Sequence, residues 1–452
     1  MSGNANAYRL LFFTLLIYVV ALTIGSPLLF YLAYVFGGVL LAAYVWSRLN
    51  KRLLEIRRHV RPQQAQVGQT VEETIEITNH SRVLKLWLEV RDHSTLQGHY
   101  FGAVVTLPGR STRRWNIRTR CYRRGLFRLG PTAVTTGDPF GLFQTSSYYT
   151  DDTELIVYPA TVPLGSFGIN SSELPGGSQT ARRAHHSTPS AAGIRDYFPG
   201  DPMNRIHWAA TARTQKLMVK EFELDPTADV WLVLDLNAAV HIADPSLARS
   251  QRPGVEWRPS RNNLASNLFG EQARAGVPGT APRRDPIFIE PTTEEYAVTI
   301  ASSLASYFIS QGRSVGFVAW GQHRVVLPAD RGARQLIKIL RALAVLRAEG
   351  TAPFEQVLTT ENRLFSRQDT VVAITPSLDE KWVAALEMQT YKGIQAVAVI
   401  IEPATFGGEG NSLMLVGTLS SIHVPTSLVK RDDALDIALG QQFGKTGVRH
   451  FR

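Results

Sequence analysis

The residue types best suited to chemistry lie together in one run, Gly193-Ile194-Arg195-Asp196-Tyr197-Phe198-Pro199-Gly200-Asp201-Pro202-Met203-Asn204-Arg205-Ile206-His207-Trp208-Ala209-Ala210-Thr211-Ala212-Arg213. Arg195, Arg205 and Arg213 offer planar forks for carboxylates or phosphates. Asp196, Asp201, Glu221 and Glu223 are near enough in sequence to pair with them. Pro199-Gly200-Asp201-Pro202 reads as a rigid turn. Asp201 or Asn204 suits the N-cap of a helix carrying Arg205, Trp208 and Ala212 near one face. Such a segment either clamps two domains together or presents arginine forks to an anion or a protein partner. Asp201 and His207 also have the residue types of an acid–base pair, which would centre a hydrolase here. No nucleophile elbow, phosphate loop or metal-ligand motif accompanies them.

Two other positions rank lower. Cys121 sits among Arg118, Arg120, Arg123 and Arg124, cations that would lower a thiol's pKa. No local base accompanies it, so a structural role is expected. His185-His186 lacks a third ligand nearby, which argues against a metal site.

These residues need elements to position them. The 452-residue chain suggests about three domains by length. With 44% hydrophobic and 19% charged residues, wholesale disorder is excluded. One cysteine excludes an intramolecular disulfide framework and any multi-cysteine zinc site. The formal net charge is +10. No aromatic-interleaved basic motif accompanies it, so lipid contact and solvated surface are expected, and nucleic acid is not.

Leu10 to Ile24 carries no charge, and after Gly25-Ser26 a second uncharged stretch runs from Pro27 to Trp46. About 20 apolar residues span a bilayer, so residues 1–50 read as a transmembrane helical hairpin. A cleaved signal peptide would leave the second run unexplained; a buried soluble hairpin is the other rival. Arg9 precedes the first run, and Arg48, Lys51, Arg52, Arg57, Arg58 and Arg61 follow the second, whereas the tip is uncharged. The positive-inside rule then places both ends, and the rest of the chain, on the cytoplasmic side.

A basic juxtamembrane segment is expected over 51–65 and an all-β, sandwich-like module over 66–165. Strand-like runs at 71–78, 84–90, 103–107 and 115–118 are separated by turn signals. Residues 166–192, rich in Ser, Gly, Pro and Ala, read as a linker, followed by the signature segment 193–227. Residues 228–452 alternate strands with helices, as in an α/β doubly wound domain. Strands are expected at 230–234, 315–320, 324–327, 370–374 and 396–401, with helices at 293–311, 333–347 and 380–388. Two more strands, at 413–416 and 421–424, precede a short helix through 434–439. The stretch 241–291 lacks hydrophobic periodicity and reads as a disordered insertion.

The run at 193–213 with Leu217-Met218-Val219-Lys220-Glu221-Phe222-Glu223 closely resembles the signature of a bacterial family known as domain of unknown function 58. The match extends upstream through R-R-G-L-F-R-L-G-P (123–131) and D-P-F-G-L-F (138–143). The resemblance implies a bacterial inner-membrane protein with a von Willebrand factor A-like C-terminal domain and no established activity. It also implies interaction residues at Arg195, Asp196, Tyr197, Pro199, Gly200, Asp201, Arg205, Trp208 and Arg213, and a MoxR-type AAA+ ATPase as partner. That A-type fold often holds Mg²⁺ through Asp-x-Ser-x-Ser. Here the matching positions read Asp235, Asn237 and Ala239, a degenerate set. No cofactor is therefore expected, Mg²⁺ included. The reading is a non-enzymatic membrane-anchored adaptor, with the hydrolase centred on Asp201 and His207 as its alternative.

Overall fold

The computed structural model describes residues 5–150, 153–167, 191–197, 206–222, 228–243 and 289–440. Helices α1 (Ala5–Ile24) and α2 (Pro27–Asn50) form a hairpin broken at Gly25-Ser26, as the two uncharged runs predict. Both are long and apolar enough to cross a membrane. Their large side chains, such as Phe12, Leu15, Tyr31 and Val35, are exposed instead of packed into the rest of the chain. That exposure disfavours the buried soluble hairpin.

The β module begins almost at once. Its strands are β1 (Leu54–Arg61), β2 (Gln64–Gln66), β3 (Thr70–Asn79), β4 (Lys85–Asp92), β5 (Gly102–Leu107), β6 (Thr112–Arg120), β7 (Gly125–Leu129), β8 (Thr132–Gly137), β9 (Gln144–Tyr149) and β10 (Thr153–Tyr158). The expected juxtamembrane segment is thus mostly a strand. Alternation explains it, because Ile56, Arg58 and Val60 point inward on β1 while Arg57 and His59 point out. The sheets run β1-β3-β6, β2-β10-β7 and β5-β4-β8-β9. Ile56, Ile75 and Ile77 meet Leu88, Val90, Leu107 and Val134 in one core, and Val60, Val71, Leu129, Leu155 and Val157 form a second. Cys121 is fully buried in the second, and loss of water pushes its thiol up to about 11. The neighbouring arginines do not activate it.

A charged network occupies the inner face between these cores. Arg58 pairs with Glu73 (2.6 Å) and Asp92, and His99 Nε2 lies 2.9 Å from Asp92. All four side chains are 3% exposed or less. Burial raises the pKa of Glu73 against the pull of Arg58. Asp92 is held well below the usual carboxylate range: bonds from His99, Arg58 and Ser94 outweigh its own burial.

The signature segment supplies β11 (Ala191–Asp196), α3 (Trp208–Thr214) and β12 (Met218–Phe222), with β11 and β12 antiparallel. The α/β domain then follows in chain order: β13 (Val230–Leu234), α4 (Thr293–Ser310), β14 (Val315–Trp320), β15 (Arg324–Asp330), α5 (Ala333–Val345), α6 (Phe354–Thr360), β16 (Thr370–Thr375), α7 (Lys381–Tyr391), β17 (Gln395–Ile401), α8 (Leu413–Ser421), β18 (Thr426–Val429) and α9 (Leu435–Ala438). Its sheet runs β15-β14-β13-β16-β17-β18, parallel except for β15 at one edge. β13 is buried on both faces: Val230, Leu232 and Leu234 face one core, and Trp231 and Val233 the other.

The tail departs from expectation. Residues 413–421 are helical, and the strand falls at 426–429. Leu415, Val416 and Leu419 recur at helical spacing on the buried face, a pattern that a short apolar run hides. Of the expected insertion, residues 244–288 lie outside the described residues, as does most of the expected linker (168–190). At the insertion's base Ala243 bridges Thr292.

The two domains meet through residues that were not expected to join them. Val162, Leu164 and Phe167, counted at the sequence level as module and linker, are buried in the α/β core, with Phe167 edge-on to Phe308. Ser303 Oγ accepts a hydrogen bond from Val162 N–H (2.9 Å), and Ser302 donates to the Ala160 carbonyl (2.6 Å). Arg124, fully buried, contacts Glu294 and Glu295 at 2.5 Å each and donates to the Leu346 carbonyl at 2.9 Å. Arg347 donates back to the Arg124 carbonyl, and Arg123 pairs with Glu290. The R-R-G motif at 123–125 therefore supplies the clamp that the signature segment was expected to form.

Candidate functional site

The chain runs from β13 outward to β14 on one side and from β16 outward to β17 on the other, and this divergence between the adjacent β13 and β16 opens a crevice at the carboxyl ends of the strands. A cleft of about 90 Å³ lies there, lined by Asp235, Asn237, Glu355, Ser377, Asp379 and Trp382 among others.

Asp235 follows β13 directly and is buried. One of its carboxylate oxygens accepts from Thr375 Oγ1 (2.6 Å), at the end of β16; the other accepts from Asn237 N–H (3.1 Å). Burial raises its pKa, and these two bonds oppose the rise. His241 donates from Nε2 to the Asp235 carbonyl (2.9 Å), which leaves Nδ1 to accept from Thr293 Oγ1 (3.1 Å). Burial lowers the pKa of His241, favouring this neutral form. Gly350 pins the loop: its N–H donates to the Leu236 carbonyl (2.9 Å) and its carbonyl accepts from Ala238 (2.8 Å). A methyl group at Gly350 would lie 2.3 Å from the Trp320 carbonyl, so the close approach requires glycine.

The donors at the expected metal positions do not fit Mg²⁺, which needs an octahedron of oxygens. The carboxylate oxygens of Asp235 are both engaged, the Asn237 amide oxygen accepts from Ala239 N–H (2.9 Å), and Ala239 brings no side-chain oxygen. Asp379, on the far side, receives Lys381 N–H (3.1 Å). Asp235 instead ties the ends of two adjacent strands together. Thr375→Val is expected to destabilise the fold by about 1–3 kcal/mol at neutral pH, since it strips a donor from a buried carboxylate. The loss should shrink as pH falls and Asp235 takes up its proton; urea denaturation from pH 4 to 8 checks both.

The signature residues are only partly brought together. Arg195 and Asp196 pair in register with Val219 and Met218, and Tyr197 N–H donates to the Leu217 carbonyl. The side chain of Arg195, and Pro199, Gly200, Asp201 and Arg205, lie outside the described residues. His207 caps α3, its Nδ1 accepting from Ala210 N–H at 3.0 Å, in the place expected for Asp201 or Asn204. Trp208 is 66% exposed and Arg213 is exposed in the last turn of α3. Residues 185 and 186 are likewise outside the described residues.

Sequence reasoning missed His241, Thr293 and Gly350 here, and Arg58, Glu73, Asp92 and His99 in the module. Among the described residues, Glu73, Asp92 and His99 are the group with ligand atoms close enough for a metal ion, within 4.8 Å of one another. Arg58 already pairs with both carboxylates of that group. The inward period of β3 (Val71, Glu73, Ile75, Ile77) was the available signal for Glu73.

A family model described as "Protein of unknown function DUF58" matches residues 193–246, which run from the signature hairpin through the Asp235 loop. "Uncharacterized protein YeaD" of Bacillus subtilis (strain 168) is 22% identical over 267 residues, covering 59% of this chain and 54% of its own length. The chain thus aligns with about half the length of that relative. Among solved structures, the CARDB domain of a Pyrococcus furiosus protein aligns over 24% of this chain and 90% of its own, at 13% identity and a TM-score of 0.18. A β-glucosidase from Listeria innocua aligns over 23% of this chain and 16% of its own, at 12% identity and a TM-score of 0.15.

Proposed function

We propose that this chain, a member of the DUF58 family, is a membrane-anchored, non-enzymatic adaptor that offers the strand-end face of its α/β domain to a protein partner. The observation that carries the reading is the state of Asp235. The most buried carboxylate of the cleft is spent on Thr375 and Asn237, while the loop it braces holds Ala238 and Ala239 out to solvent. Such a loop suits docking better than turnover. The sheet order, with its antiparallel edge strand, supports a von Willebrand factor A-like domain whose metal site has been replaced by hydrogen bonds.

The cleft also connects to the membrane-side module. His241 joins the Asp235 carbonyl to Thr293, and the next two residues, Glu294 and Glu295, hold Arg124 of the module. In this proposal α1 and α2 cross the bacterial inner membrane, and the flanking cations keep the module and the α/β domain on the cytoplasmic side. The partner is a MoxR-type AAA+ ATPase, by family resemblance.

A photocrosslinking residue at Ala239, in the full chain in native membranes, tests the assignment. Recovery of an AAA+ ATPase, reduced at least fivefold by Asn237→Pro in a protein that stays folded and membrane-bound, is expected. Failure to recover such an ATPase, or a yield indifferent to the loop, overturns it.

A further inference from the structure

The D-P-F-G-L-F motif at 138–143 is unused by the proposed docking face, and its position is specific. Asp138, 2% exposed, accepts from Phe140 N–H (2.9 Å) and Phe143 N–H (2.5 Å) and so fixes a tight turn between β8 and β9. Gly141 takes a positive φ of 68° within it. The turn packs laterally against α2, with Phe143 edge-on to Tyr44 at 5.7 Å. Phe140, at the tip, is 62% exposed.

The contact sets the depth of the turn. The apolar stretch of α2 ends at Trp46 and Arg48 follows, its guanidinium 5.2 Å from the Tyr44 ring centre. At 1.5 Å per residue, Tyr44 lies about 3 Å inside that boundary and Arg48 about 3 Å outside it. Whatever packs beside Tyr44 is therefore at the level of the interface. The attachment is stiff. Asn50 donates to the Leu86 carbonyl (2.9 Å), Ser47 meets Thr145 (3.2 Å), and Lys85 donates to the Leu49 carbonyl at the helix end.

The same end of the module exposes Leu53, Leu84 and Trp87. The segments 44–53, 81–88 and 139–149 that meet there bring Arg48, Lys51, Arg52 and Arg82 to the surface and contain no Asp or Glu, and Asp138 at the base of the turn is buried. Exposed apolar side chains beside uncompensated cations fit an anionic lipid surface.

We infer that the 138–143 turn is a membrane-dipping element: it inserts Phe140 into the headgroup–hydrocarbon boundary and seats the β module on the bilayer that α2 crosses. This inference rests on the membrane-spanning reading, so its test must separate the two.

The test places a nitroxide on Phe140→Cys in the full chain, reconstituted in phosphatidylethanolamine–phosphatidylglycerol vesicles. Collisions with oxygen and with a water-soluble nickel chelate are compared. Cys121 is buried, so the unsubstituted chain serves as the labelling blank. Labels at Tyr31→Cys in α2, at Leu84→Cys near the turn, and at Tyr100→Cys beyond the far end of β4 give the references. The expected result is nickel access at 140 and 84 reduced at least fivefold relative to 100, with oxygen access high. A water-exposed 140 with a lipid-exposed 31 overturns the seating while the span stands. A water-exposed 31 removes the span, and the seating with it. A label at 140 shielded from both reagents places protein there, which also overturns the inference.

Discussion

Replacing Arg124 with leucine is expected to loosen the β module from the α/β domain and to cost about 3 kcal/mol at neutral pH. Breaking a buried ion pair by removing one partner costs about 3–5 kcal/mol, because the other charges stay behind. Here Glu294 and Glu295 keep 23% and 16% side-chain exposure, which puts the loss at the lower end. The fork also holds the Leu346 carbonyl, a bond that lysine would not reproduce with the same planar geometry, so Arg124→Lys should fall between.

The pH dependence has a definite sign. Burial raises the pKa of Glu295 in the folded protein, with Arg124 opposing it. A carboxyl raised on folding contributes most when protonated and loses that contribution as pH rises from the unfolded value, about 4.3, through the folded one. Without Arg124 the folded value rises further. The gap between variant and wild type should therefore be small near pH 4 and widen toward pH 7. Urea denaturation across that range, with proteolysis near 159–167, reads both effects. A single transition shifted by less than about 1 kcal/mol would remove Arg124 from its role.

The second large effect concerns the module interior. Arg58→Met is expected to cost about 3–5 kcal/mol, since it leaves Glu73 and Asp92 facing each other without their cation. The two carboxylates should also respond differently to neutralisation. Asp92 is depressed on folding, so its contribution is fully present above about pH 4 and is lost as pH falls toward the folded value. Asp92→Asn should therefore destabilise at neutral pH and flatten the acid limb of the stability curve. Glu73 is raised, so Glu73→Gln should cost less at neutral pH. Equal losses for the two variants would contradict this division of charge.

Much of the architecture was legible because it rests on local pattern. The two uncharged runs around Gly25-Ser26 became α1 and α2. Val230–Leu234, a continuous apolar run, became a strand buried on both faces, and the alternation after it yielded the parallel sheet. Where pattern was ambiguous the reading slipped. Leu413–Val416 is four apolar residues, too few to separate period 2 from period 3.6, and the helix was missed. Leu54–Arg61 was taken for a membrane-surface segment because it carries Arg57, Arg58 and Arg61 directly after the second apolar run, although its inward positions alternate.

The functional residues divide along the same line. Asp235 and Asn237 were singled out through the family resemblance, which implies a metal motif after the first strand, and the expectation that it is degenerate followed from the side chains at 235, 237 and 239. That Asp235 is bonded to Thr375, 140 residues away in sequence, was not readable from any spacing. Nor was the choice among arginines. The chain has basic residues throughout 113–128, yet only the fold selects Arg124 for full burial against Glu294 and Glu295, because α4 reaches that point with its acidic first turn. The sequence by itself determined the two apolar helices, the strand–helix alternation and the residue types available at the strand ends, since these depend on neighbours along the chain. Only the tertiary structure decided which charges are buried, which partners satisfy them and which turn lies beside α2, since the cost of burying a polar group is set by whatever non-local atom meets it.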